Sequence, residues 1–183
     1  MKIFSGVKVT SHNPLIKGFL ACAEWKIRFL ETFVAPITLL AIRLYVGHFY
    51  WQSGRTKIAN LDSARDLFKT EYLPNWEHNH IKTLSGIQIS FPVPGIEFAT
   101  IASTAGELVF SALLMIGIAG RGAAFGIFMM TLMIEMFVYP GTDEHYYWML
   151  TMAVILAYGP GKVSIDHFIR KKFLPSLSHQ KGF

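Results

Sequence analysis

Apolar residues in this chain are gathered into long runs separated by short polar breaks, and several runs are long enough to read as helices that cross a bilayer. A hydrocarbon core of about 30 Å asks for about 20 mostly apolar residues per helix. Four runs approach that length: 36–54 (PITLLAIRLYVGHFYWQSG), 96–118 (IEFATIASTAGELVFSALLMIGI), 123–139 (AAFGIFMMTLMIEMFVY) and, with a polar first turn, 143–159. Pro36 and Gly54 punctuate the first run as a helix start and stop. The link 119–122 is short enough to make the second and third runs antiparallel neighbours. Pro140 and Gly141 turn the chain into the fourth run, where Thr142 is a candidate cap, and Asp143 and Glu144 sit where the helix dipole favours acids. The pattern predicts an all-α integral membrane four-helix bundle.

Three segments fall outside that plan. Within 1–35, Phe19, Leu20, Ala23, Ile27, Leu30 and Val34 recur at helical spacing while Lys17, Glu24, Lys26 and Glu31 lie on other faces. That describes an amphipathic helix on the cytoplasmic face of a membrane. Residues 55–95 are too polar to span and form a small extracytoplasmic loop cap. Leu61, Ala64, Leu67 and Phe68 share a helical face there, with Asp62 or Ser63 as its cap and Pro74 as its end. Residues 167–183 make a basic cytoplasmic tail around Arg170, Lys171 and Lys172, which leaves 36–166 as the membrane domain.

Composition sharpens the picture. Hydrophobic residues make up 52% of the chain and charged ones 16%, an imbalance that a soluble domain seldom shows. The single cysteine, Cys22, excludes an internal disulfide or a CxxC redox pair. Lys17 interrupts the apolar stretch before Cys22, so no cleaved leader is expected. The net charge of +5 comes from lysines and arginines that flank the apolar runs, which suits anionic lipid headgroups and argues against nucleic acid. Eleven of them lie in the N-terminal segment, the 119–122 link and the stretch from Lys162 onward, against five in the long loop, so both termini are expected in the cytoplasm.

Charge inside the runs is the candidate chemistry, because an ionisable group at membrane depth costs several kcal/mol unless paired or hydrated. At about 1.5 Å per residue, Arg43 and Glu107 fall at similar depths, as do His48 and Glu135. Two pairs are therefore expected, Arg43 with Glu107 and His48 with Glu135. Such a polar core would bind a headgroup, a quinone carbonyl or a proton, and His48 titrates in the range that suits proton relay; the alternative is structural ion pairs that fix the packing. Haem is disfavoured, since no second histidine lies at depth. His78 and His80 in the loop are expected to be solvated and to bind no metal.

Arg43-Leu44 with Gly47, Phe49, Gly54 and Lys57 resembles the first-helix pattern of DoxX proteins. Glu107-Leu108 ahead of Gly117 and Arg121 resembles that family's second-helix signature, and Gly159-Pro160-Gly161-Lys162 with Ser164 and Asp166 resembles its ending. A histidine frequent before the second glycine of helix one is Ser53 here. The family is similar to the small subunit of thiosulfate:quinone oxidoreductase. The resemblance implies a membrane subunit linked to quinone or sulfur redox chemistry, with no covalent cofactor, a redox partner protein and homo-oligomers among its expected partners. Two other readings stand beside it, a non-enzymatic scaffold or assembly factor and a small-solute or lipid transporter.

Overall fold

The computed structural model describes residues 14–79, 81–84, 87–90, 92 and 94–173, with side chains at 18–78, 92 and 94–173. The expected sites at His80 and in the tail beyond 173 lie outside the described residues. In chain order the elements are α1 (Pro14–Phe29), α2 (Ala35–Ala59), α3 (Leu61–Leu67), α4 (Leu73–Asn79), β1 (Ile81–Leu84), β2 (Ile87–Ser90), α5 (Ile96–Ile116), α6 (Gly120–Met133), α7 (Asp143–Tyr158) and α8 (Ile165–Phe173). The described chain is thus helical apart from one short antiparallel hairpin, in which Ile81 faces Ser90 and Leu84 faces Ile87.

Among the described residues three helices are long and apolar enough to cross a membrane: Gly18–Ala59, Ile96–Ile116 and Gly120–Val138. The first differs from expectation. Helix α1 runs without a break through a π turn (Leu30–Val34) into α2, so Pro36 sits inside a long helix and does not start one, and α2 continues past Gly54 to Ala59. Two further π turns, Phe68–Tyr72 and Ile134–Val138, interrupt the loop helices and the end of α6.

All three π turns stand directly before an X–Pro step. Ala35 donates its N–H to Leu30, Leu73 to Phe68 and Tyr139 to Ile134, each reaching five residues back, and each is followed by a proline, at 36, 74 and 140. A proline removes one i→i−4 bond and crowds the carbonyl four residues behind it, and widening the preceding turn relieves that crowding. Hence Pro74 does not end its helix, contrary to the sequence reading. The cap of α3 also differs: the Asn60 side chain accepts from the Ser63 N–H at 3.0 Å, so the capping residue is neither Asp62 nor Ser63.

One buried core joins α2, α5, α6 and α7 through Val46, Tyr50, Leu114, Ile127, Met152 and Ile155. Tyr50 donates to Thr131 Oγ1 across that core at 2.6 Å, while Thr131 donates to the Ile127 carbonyl of its own helix at 2.7 Å. These bonds satisfy polar groups where water is excluded.

Candidate functional site

Of the sequence-predicted charges, Arg43, Glu107 and Glu135 are buried and His48 is exposed. Neither expected pair forms. Arg43, 1% exposed, has a set of backbone carbonyls as its partners: Nε donates to Leu114 (2.9 Å), Nη2 to Met115 (2.9 Å), and Nη1 to Pro160 (2.5 Å) and Val163 (2.9 Å). Two of these carbonyls close α5 and two belong to the 159–164 turn, so the guanidinium fork ties three distant segments together. Depth alone predicted Glu107 as its partner; the left-handed turn at Gly117 brings the carbonyls of Leu114 and Met115 to it instead.

The residues around that fork are the ones whose pattern stood out in the sequence. Gly117 has φ of 77°, and a Cβ there would lie 2.7 Å from Ser164 Cβ and 2.8 Å from Arg43 Nη2, so only glycine fits. Asp166 accepts from the N–H groups of Ala119 (2.8 Å) and Gly120 (2.7 Å), capping α6 from a remote position, and its own N–H donates to the Gly117 carbonyl at 2.9 Å. Ser164 Oγ accepts from the His167 N–H at 3.2 Å at the start of α8. Arg121 Nη2 donates to the Ala157 carbonyl at 3.3 Å. This end of the molecule is a structural clamp.

The other end is different. Glu107 pairs with Lys57, one turn beyond Ser53 on α2, and both are buried. Ser103 lies within 3.4 Å of both Lys57 Nζ and Glu107 Oε1. The second π turn places the Phe68 and Tyr72 rings over the ammonium, at 5.6 and 5.9 Å. Burial, and then the carboxylates of Glu107 and Glu71, hold the Tyr72 hydroxyl above its ordinary value and so keep it neutral. Gly54 admits this approach, since a Cβ there would meet Leu108 Cγ at 2.8 Å.

Among the described residues two buried side-chain polar atoms have no hydrogen-bond partner, Glu107 Oε2 and Trp76 Nε1. Both belong to one neighbourhood. A groove of about 520 Å³ runs between the 68–76 segment, α5 and the end of α6, and Trp76, Tyr72, Phe68, Ser103, Phe110 and Met130 are among its walls. Trp76 is part of that wall, its unused N–H itself buried, and Ser103 connects the groove to the ion pair.

Glu135 lies in the third π turn and accepts from His145 Nδ1 at 2.8 Å and from the N–H groups of Gly141 (2.6 Å) and Thr142 (3.3 Å). Thr142 occupies the N-cap position of α7, yet its hydroxyl donates back to the Tyr139 carbonyl at 3.1 Å and makes no capping bond. His145, ten residues along the chain, replaces the expected His48 because the Pro140–Gly141 turn folds it back. His48 instead shares an open surface with Leu44, Tyr45, Phe49, Gln52 and Met115. Among the described residues no group of three or more His, Cys, Asp or Glu side chains has metal-site geometry.

Sequence reasoning missed Lys57 as a membrane-depth partner because the first run was ended at Gly54. The signal was present in the i, i+3 spacing of Gly54 and Lys57, which puts both on the face that meets α5. The family model described as DoxX matches residues 38–140, a stretch that holds Arg43, Lys57, Glu107 and Glu135. No curated protein and no solved structure matched the chain.

Proposed function

This chain belongs to the DoxX family, and on that premise we propose that it is a four-span protein of a bacterial inner membrane whose groove beside Lys57 and Glu107 takes a quinone. In this reading α7 is the fourth span. Its sixteen residues reach about 24 Å, and the 140–142 and 159–160 turns extend it to the edges of the bilayer. The excess of lysine and arginine at the Arg43 end supports cytoplasmic termini, an orientation in which residues 55–95 cap the bundle on the outer side.

The observation that carries the ligand is the pair of unused buried polar atoms beside an aromatic groove. The Trp76 N–H suits a ring carbonyl, the aromatic and methionine walls suit a flat ring with an apolar tail, and Ser103 leads from the groove to the Lys57–Glu107 pair. A bound quinone would supply two-electron, two-proton carrier chemistry. With one cysteine the chain has no dithiol of its own, so the electrons would come from a partner protein, and the chain would act as a subunit of an oxidoreductase complex. A scaffold reading is favoured by one feature: Lys57, Glu107 and the Phe68 and Tyr72 rings together pin the loop helices to α2 and α5.

The test is mass spectrometry of small molecules retained by the purified full chain, comparing wild type with Glu107→Gln and Trp76→Phe at matched folded yield. The expected result is a quinone enriched over the membrane background in wild type and depleted in both variants. Its absence from every sample would favour the scaffold.

A further inference from the structure

At the opposite end, a second cavity of about 570 Å³ lies where the long first helix passes the end of α7 and the start of α8. Its composition is split. Leu39, Ile42 and Val154 make an apolar wall, while Arg121, Lys162 and Arg170 bring three cations to its edge, against Glu31 as the single acid in the lining. Neither Lys162 nor Arg170 pairs with an acid among the described residues, and Arg121 has only the Ala157 carbonyl at 3.3 Å. His167, also in the lining, is held below its ordinary value by burial and then by these neighbours, Arg170, Lys171 and Lys162.

Leu30 and Val34 in the lining are exposed, as are Phe168 and Phe173 on α8, side chains of the kind that face lipid. An apolar wall that opens on a cluster of unpaired cations matches one occupant in charge and in shape, a lipid with an anionic phosphate head. We propose that this cavity is a specific site for one anionic phospholipid, its phosphate held by Arg121, Lys162 and Arg170 and an acyl chain lying along Leu39, Ile42 and Val154. The site depends on the protein lying in a membrane and is independent of any quinone in the groove.

Native mass spectrometry of the purified full chain, titrated with phosphatidylglycerol or phosphatidylcholine, tests it. Each cation near a lipid surface is worth roughly fivefold in affinity, so neutralising three predicts a loss of about a hundredfold. The triple variant Arg121→Gln, Lys162→Gln, Arg170→Gln is expected to lose one tightly held phosphatidylglycerol by that factor, while Lys171→Gln with Lys172→Gln, outside the cavity, retains it. Thr38→Trp, which fills the cavity and leaves every charge in place, is expected to abolish the same adduct. An equal loss from the 171/172 variant, unchanged binding in Thr38→Trp, equal retention of phosphatidylcholine, or displacement by inorganic phosphate at matched concentration would each overturn the site. The thermal midpoint of every variant is read alongside, and a variant that does not fold is replaced by its single substitutions.

Discussion

The two ends of the helix cluster both bury charge, and they do it in opposite ways. At the Arg43 end the guanidinium is spent on main-chain carbonyls of α5 and the 159–164 turn, and the nearby carboxylate, Asp166, is spent on the N-terminus of α6. At the Lys57 end two side chains face each other, one carboxylate oxygen has no partner, and an aromatic groove lies beside them. A charge satisfied by fixed backbone dipoles has nothing left to offer a ligand. A charge satisfied by one mobile partner, with an oxygen to spare, retains chemistry at the cost of stability. The same residue types therefore serve as a clamp at one end and a candidate site at the other.

Breaking the clamp should have the largest effect. Arg43→Leu leaves four carbonyls without their donor, and at about 1–3 kcal/mol for each unsatisfied buried group the loss should exceed about 4 kcal/mol and abolish monodisperse protein in detergent. Arg43→Lys, which keeps the charge without the fork, should recover only part of the thermal midpoint.

At the other end Lys57→Met should cost about 3 kcal/mol because it strands the Glu107 carboxylate. The double variant Lys57→Met with Glu107→Leu should return most of that loss in thermal unfolding while remaining defective in ligand retention. That split between stability and binding is the result that separates a site from a strut; recovery of both would make the ends alike.

A smaller effect concerns pH. The folded state holds His167 below its ordinary value, so the unfolded chain takes up the proton first as pH falls. The stability that neutral His167 contributes is full above about 6.5, the ordinary histidine value, and is lost as pH drops through the folded value. The thermal midpoint should decline between pH 7.5 and pH 5.5, and His167→Gln should flatten that decline. Smallest of all, His48→Ala should shift stability by less than about 0.5 kcal/mol, as an exposed position with no core role, and should leave the retained small molecules unchanged.

Much of the helix plan was legible in the sequence, because hydrophobic run length and Gly/Pro punctuation act locally. The runs at 96–118 and 123–139 match α5, and α6 together with its π turn, to within a turn, and Asp143 and Glu144 open α7 as expected. The three prolines were legible too, but Pro36 as a helix start, Pro74 as a helix end and Pro140 as a turn; whether a proline bounds a helix or widens a turn inside it depends on what the flanking helices pack against.

Three of the buried charges were also legible, since Arg43, Glu107 and Glu135 stand inside apolar runs whatever their partners, whereas buried Lys57 and His145 were missed and the expected His48 is exposed. Who pairs with whom was decided only by tertiary structure. Depth along a helix sets one coordinate, whereas pairing needs the rotation of each helix about its axis, and a shift of one residue turns a side chain by about 100°. That rotation placed Lys57 rather than Arg43 against Glu107, turned His48 outward, and let the Pro140–Gly141 turn deliver His145 to Glu135. It also gathered one part of each signature, Arg43, Gly117 and the 159–166 ending, into a knot in which each satisfies backbone groups that the others leave open.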